Sequence, residues 1–258
     1  MRIQVIDRAF ELIGLIASRG TASLAELSRE TGLPISTVAR IAGSLASHGI
    51  LERTAGRKYR LGGRILTLAA RVEPIRNLVE AGRSTMLHLA HETGEDVGLS
   101  ILQGEEAVIV DWMHGRHPIK VIEPFSGSIT LNCAFRKLYL AYKSDKWVRD
   151  YVLRTTFPQY TPFTITDPKK ILDEVRKVRR AGFAISRSEN ILGAGSVGAP
   201  VFDHNGELMA TIFVTAPLDR FDSVDLPSLT ASVVRAGKTM TAQIRTGGLH
   251  NIRSTERN

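Results

Sequence analysis

The sequence predicts an α+β protein in two parts: a small basic N-terminal head of three short helices and a hairpin, and a larger part built on an antiparallel sheet. Three observations predict this. Apolar residues recur at helical spacing through the first fifty positions. The period then switches to alternation at Val97, Leu99 and Ile101, and an Asn-Gly pair at 205–206 separates two strand-like runs.

Composition sets the bounds. A chain of 258 residues is long enough to bury one large core or two modest ones. An apolar content of 43% with 23% charged residues argues against both disorder and membrane burial. The net charge of +8 points to an anionic partner, and its distribution matters more than its size. Residues 1–64 hold ten Lys or Arg against five Asp or Glu, so a quarter of the chain carries +5 of the excess. Cys133 is the single cysteine, which excludes an intrachain disulfide and a cysteine-rich metal knuckle. With no apolar signal-like run at the start and no stretch approaching a membrane span, the expected location is the cytoplasm and no membrane partner is expected.

In the head, Val5, Ile6, Ala9, Phe10, Ile13 and Ile16 predict one apolar face of a helix from Val5 to Ser18, closed by Gly20. Ser23 followed three residues later by Glu26 fits a capping box, so a second short helix opens there, buries Leu24 and Leu27, and stops at Gly32. Gly32 is suited to the positive φ of a tight inter-helix turn. With Pro34 in its first turn, the third helix puts Val38, Ile41 and Leu45 on one side. Ser36, Thr37, Arg40, Gly43, Ser44 and Ser47 fall on the other. Small hydroxyl side chains around an arginine form a low, donor-rich ridge able to approach base edges and phosphates in a major groove roughly 12 Å wide. The plainer alternative is a helix face that simply meets water. Context favours the first reading, because "ILERTAGRKYRLG" follows as two strands around Ala55 and Gly56. Tyr59 and Leu61 share one side of the second strand, Lys58 and Arg60 the other. With Arg53 and Arg57 these make a basic hairpin suited to phosphate or minor-groove contact, and the whole reads as a winged helix-turn-helix over residues 1–62.

Residues 63–73, with Ile65, Leu66, Leu68 and Ala69, predict a helical linker ending at Pro74. Beyond it, Ile75, Leu78, Val79, Met86, Leu89 and Ala90 form a helical stripe that ends at Gly94. A hairpin turning at "QGEE" follows, then helices from about Asn132 to Tyr142, over "DKWVRDYVL", and from Asp167 and Pro168 to Gly182. The strands "GSVGAPVFD" and "ELMATIFVT" and a last helix from about Asp225 to Arg245 complete a domain over 74–247. Residues 248–258 are expected to be a disordered tail.

The ordered set "GLPISTVARIAGSLASHGIL", then "YRLG", then "GFAISRSENILGAGSVGAPVFDHNGELMATIFVTAP" and "LNCAFRKLYLAY", resembles the IclR family of bacterial transcription regulators over nearly the whole chain. The resemblance implies Ser36, Thr37 and Arg40 as major-groove contacts, with Ser44 on the same ridge, and Arg57, Lys58 and Arg60 as the wing. It implies a GAF-like effector-binding domain whose pocket for a small organic effector, often a carboxylate, is lined by Cys133, Ala134, Ser186, Ser196, Phe213 and Thr215. It also implies dimers that often pair into tetramers. The chain departs from the family in having Arg136 and Lys137 where a Gly-Lys pair is usual. Ser196 stands where a cysteine is common, and Phe213 where members that bind very small acids carry a small polar residue.

Other chemistry is weakly signalled. "GAGSVG" at 193–198 matches the dinucleotide fingerprint but leads into a strand instead of the required helix, so no cofactor is expected. Cys133 has no adjacent base to make it a nucleophile. His88 with His91, and His114 with His117, have a spacing that would suit a metal, although such pairs more often serve local hydrogen bonds. The reading is therefore a ligand-responsive regulator of operator DNA and not an enzyme. Its rivals are an enzyme using residues 74–247 and a constitutive DNA-binding protein whose second domain only dimerises. Dimerisation is expected because one three-helix module reads too few bases, and two-fold proteins match palindromic half-sites.

Overall fold

The computed structural model describes residues 3–69, 71, 73–121 and 133–246, which fall into two compact units divided between Glu73 and Pro74. In the first unit α1 (Gln4–Arg19), α2 (Leu24–Thr31) and α3 (Ile35–Ser47) precede a hairpin of β1 (Leu51–Arg53) and β2 (Tyr59–Leu61), then a short α4 (Arg64–Ala69). The capping box opens α2: Ser23 Oγ accepts from Glu26 N at 3.3 Å, and Glu26 Oε2 accepts from Ser23 N at 2.7 Å. Gly32 ends the helix at φ 67°, which costs a side-chain-free residue nothing.

Leu12, Ile16, Leu27, Val38, Ile41, Leu51 and Tyr59 form the core of this unit. Each fully buried aliphatic side chain contributes about 1.5–3 kcal/mol. Ala22 adds a single antiparallel bridge to Tyr59, with N···O distances of 2.9 and 2.7 Å, so the hairpin gains a third strand one residue long.

Several expectations need correction. The apolar positions of α1 divide between two sides. Leu12 and Ile16 enter the core with Ala9 and Leu15 beside them, whereas Ile6 and Phe10 face outward, Phe10 at 68% exposure, and Val5 lies uncovered in the first turn on the side of Leu12 and Ile16. Pro34 is the N-cap of α3 and not a residue of its first turn. The helix of the linker covers only Arg64–Ala69, and Pro74 lies in the first turn of the next helix instead of ending the previous one. That position tolerates proline because the first-turn N–H has no helical partner to lose.

In the second unit α5 (Glu73–Thr93) leads to β3 (Asp96–Gln103) and β4 (Glu106–Met113). After the segment 122–132, which lies outside the described residues, come α6 (Ala134–Ala141), α7 (Asp145–Arg154) and α8 (Pro168–Ala181). Then follow β5 (Ala184–Arg187), β6 (Ala194–Phe202), β7 (Leu208–Pro217), α9 (Leu218–Ser223) and α10 (Leu226–Thr246). The described residues form a five-stranded antiparallel sheet ordered β4-β3-β7-β6-β5. The short strand β5 runs where the sequence reading has no element. The expected tail, 248–258, lies outside the described residues.

Strand alternation sends Val97, Leu99, Ile101, Val197, Ala199, Val201, Ile212 and Val214 to one face, where Leu78, Met86 and Leu89 of α5 and Val233, Ala236 and Met240 of α10 close over them. The opposite face meets α6, with α7 and α8 packed outside it. Helices thus cover both faces of the sheet.

Candidate functional site

On α3 the apolar side holds Val38, Ile41 and Ala42 in the core, which turns Ser36, Arg40, Gly43, Ser44 and Ser47 out to solvent with Thr37 half-buried beside them. Among the described residues Arg40 makes no ion pair. The ridge is therefore a raised, donor-rich strip whose one cation has no carboxylate to hold it back. Ser47 Oγ donates to the Ser44 carbonyl at 2.8 Å, which spends that hydroxyl on the helix.

The wing turn closes by Arg57 N donating to the Thr54 carbonyl at 3.1 Å, and Thr54 N to the Lys58 carbonyl at 2.8 Å. Arg57 sits at φ 58°, a left-handed conformation that costs a residue with a side chain about 1–2 kcal/mol. It holds an exposed cation at the tip, and Lys58 is exposed next to it. Arg60 differs from both. Its Nε and Nη2 donate to Glu52 Oε2 at 3.1 and 2.9 Å, and the Glu52 carboxyl, which also accepts from Gly63 N, is held below the usual carboxylate range by these bonds. Of the three wing cations expected to meet phosphate, Arg60 is the one already neutralised.

In the second unit the α6-facing side of the sheet is organised in rows. Ser186, Ser196, Thr215 and Asp96 are successive cross-strand neighbours on β5, β6, β7 and β3, a polar row crossing four strands. The next row reads Ala184, Gly198, Phe213, Gly98 and Trp112. A Cβ on Gly98 would lie 2.2 Å from Phe213 Cζ, so the ring occupies space that only glycine leaves open. A third row brings Ser100 and Thr211 together, their hydroxyls 2.7 Å apart, and Tyr139 of α6 donates to the Ser100 carbonyl at 2.7 Å. Burial pushes the Tyr139 hydroxyl far up, so it stays a neutral donor.

Four of the six expected pocket residues therefore share one face, three in the polar row and Phe213 in the row beside it. Cys133 caps α6 and is buried against Phe213, and Ala134 begins the helix beside Gly198. Phe213 itself is fully buried, stacked on Phe135 at 4.5 Å and edge-on to Trp112 at 5.8 Å.

Asp96 is the member of the polar row that the sequence reading missed, although period-2 alternation against Val97 puts it there. Its carboxylate accepts from Lys120 Nζ at 2.9 Å, Gly115 N at 2.7 Å and Trp112 Nε1 at 3.3 Å, and lies 3.3 Å from His114 Nδ1. Burial pushes this carboxyl up, but the bonds from Lys120, Gly115 and His114 outweigh it and hold it below the usual range. Next to it Glu95 takes a bidentate pair from Arg220, both distances 2.7 Å, with His117 3.7 Å away.

The remaining candidates separate. His88 is exposed beside Glu92 on α5, and no group of three or more His, Cys, Asp or Glu side chains among the described residues is arranged to hold a metal. The "GAGSVG" run lies almost wholly within β6, and its glycines serve packing: a Cβ on Gly195 would meet the Phe221 ring at 2.3 Å. No described helix is long and apolar enough to cross a membrane.

Known proteins share this arrangement. The family model for the IclR helix-turn-helix domain matches residues 5–55, and that for the bacterial transcriptional regulator IclR C-terminal domain matches residues 73–242. The chain is 33% identical to the HTH-type transcriptional regulator Rv1719 of Mycobacterium tuberculosis over 85% of its length and 84% of that protein. It is 25% identical to the transcriptional repressor IclR of Escherichia coli over 93% of its length and 89% of that protein. These relatives are named as regulators and not as enzymes. Among solved structures, an IclR homolog from Microbacterium hydrocarbonoxydans complexed with 4-hydroxybenzoate matches with a TM-score of 0.77 and 21% identity, over 93% of this chain and 98% of that one. The two domain matches, in this order and over most of the chain, make the protein a member of the IclR family of bacterial transcription regulators, a helix-turn-helix head followed by a C-terminal ligand-binding domain.

Proposed function

We propose that the protein is a cytoplasmic homodimeric repressor that binds operator DNA through α3 and the wing and is controlled by a small organic acid in the second domain. Ser36, Thr37, Arg40 and Ser44 meet the major groove, while Arg57 and Lys58 meet phosphate at the wing. Arg60 joins them by exchanging Glu52 for a phosphate, an exchange of little cost because an exposed pair is worth about 1 kcal/mol or less. The observation that carries the DNA reading is the outward ridge of α3, held out by Val38, Ile41 and Ala42. Dimerisation is supported by apolar side chains that the first unit leaves outside: Val5, Ile6 and Phe10 on α1, and Leu66, 75% exposed, on α4. Exposed large apolar side chains grouped on one helix suit contact with a partner.

The effector reading rests on the row of hydroxyls Ser186, Ser196 and Thr215, in which Thr215 Oγ1 donates to the Gly195 carbonyl over a long 3.4 Å, a contact that an anion seated on the row would replace. The first turn of α6, opened by Cys133 and Ala134 and free of acidic residues, adds the positive end of a helix nearby. Phe213 and Phe135 limit the pocket on the next row and favour a flat, apolar body on the acid. That class includes the 4-hydroxybenzoate bound by the Microbacterium homolog.

The test is anisotropy with DNA flanking the protein's own gene, titrated with aliphatic and aromatic carboxylates. One acid is expected to shift DNA affinity by about 5- to 150-fold. The same acid is expected to have no effect on Ser196→Trp. Operator binding that ignored every acid would overturn the effector reading.

A further inference from the structure

Arg136 is the third residue of α6 and stands where the family resemblance leads one to expect glycine. It is only 7% exposed. Among the described residues its one hydrogen bond is from Nη2 to the Glu105 carbonyl at 3.2 Å, and no carboxylate forms an ion pair with it. A guanidinium carries five N–H donors, so most of its capacity is unused. Burial lowers its pKa without making it neutral, since arginine keeps its proton in proteins. A buried charge held by a single backbone carbonyl is an unfavourable arrangement unless something else completes it.

The surroundings say what would. Arg136 lines a small cavity of about 20 Å³, partly open to solvent, with Glu105, Tyr139, Lys143, Trp147 and Tyr151. Its walls are aromatic, with Trp147 and Tyr151 stacked at 4.9 Å. Lys143 Nζ lies 5.3 Å over the Trp147 ring and makes no ion pair among the described residues. The one carboxylate at the rim, Glu105, is paired with Arg154, whose guanidinium lies over both rings. Among the described residues neither Arg136 nor Lys143 forms an ion pair, although the Glu106 carboxylate is near enough to favour the Arg136 charge, and the aromatic walls strengthen any further charge placed there.

We propose that this cavity is an anion subsite in which the Arg136 guanidinium takes the carboxylate of a small organic acid, with Lys143 as the second cation. A planar carboxylate matches the guanidinium fork, and because the cavity is partly open its oxygens can reach Arg136 while the body of the acid stays outside. The site is separate from the polar row of Ser186, Ser196 and Thr215: Phe135 on the same helix turns to the sheet, whereas Arg136 reaches the turn between β3 and β4 and faces α7. The proposal does not depend on that row binding the effector.

The test is the thermal midpoint of the full-length protein, titrated with sodium acetate against sodium chloride at equal ionic strength. The parent and Ser196→Trp are expected to be stabilised by acetate over chloride, with saturation. Arg136→Gln is expected to lose the effect, with acetate binding about tenfold weaker or more. Equal acetate effects in the parent and Arg136→Gln would overturn the proposal. An effect lost in Ser196→Trp but kept in Arg136→Gln would move the anion to the polar row and do the same. If Arg136→Gln does not fold, Arg136→Lys keeps the charge and loses the planar fork. It should bind acetate severalfold more weakly, and unchanged binding would refute the site.

Discussion

Phe213 lies stacked on Phe135 at 4.5 Å, directly over Gly98 of the neighbouring strand. The two rings fill the middle of the sheet face, and Gly98 leaves the room for them. Phe213→Ala is therefore expected to destabilise the protein by about 3–5 kcal/mol, read from urea denaturation at constant slope. A loss under 1 kcal/mol would mean that the ring is not packed as described.

At the wing, Arg57 holds a left-handed conformation at φ 58°. Arg57→Gly removes the steric cost and is expected to raise the stability of the protein by up to about 1 kcal/mol while weakening DNA binding. The change in opposite directions is what distinguishes a strained functional position from a merely strained one. Calorimetry and anisotropy on the same preparation check it, and a variant that lost both stability and binding would contradict it.

Asp96 provides a pH signature. Its folded-state pKa is depressed, so the folded protein binds fewer protons there than the unfolded chain. The stabilisation is complete above the ordinary carboxylate pKa and is lost as pH falls through the folded value. Asp96→Asn is expected to lower the thermal midpoint at pH 7, and the gap from the parent is expected to narrow below about pH 4. A gap that stayed constant with pH would show that the charge of Asp96 contributes nothing.

The outward apolar side of α1 bears on assembly. Phe10→Glu or Leu66→Glu should shift the dimer towards monomer in sedimentation and weaken operator binding with it. The fold of the head should survive, because neither side chain enters its core. A sedimentation coefficient unchanged in both variants would place the dimer contact elsewhere.

Much of this architecture was legible because local chemistry agreed with it. The Ser23–Glu26 capping box, the turn at Gly32 and the Asp167–Pro168 helix start stand where their residue types predict. What was not legible depends on tertiary context. The apolar stripe of α1 could not reveal that Ile6 and Phe10 turn to solvent, or that Val5, on the side of Leu12 and Ile16, lies too near the helix start to be covered. The strand β5 is only Ala184–Arg187, too short for alternation to declare itself. In the candidate sites, Asp96 was readable from the pleat, but the Glu52–Arg60 pair joins residues eight positions apart and needs the hairpin register to be seen. The unpaired guanidinium of Arg136 likewise becomes visible only when burial is known.

The account rests on the ridge of α3 meeting DNA, and salt-dependent operator binding tests it most directly. Affinity for DNA flanking the gene is measured across a salt series for the parent, Arg40→Ala and Lys58→Ala, beside an unrelated duplex. Arg40→Ala is expected to lose about 1–3 kcal/mol on the operator and to relax preference at one base pair. Lys58→Ala is expected to weaken binding to both duplexes and to reduce the salt slope by about one. Parent-like affinity and slope in both variants would contradict the assignment of α3 and the wing to DNA.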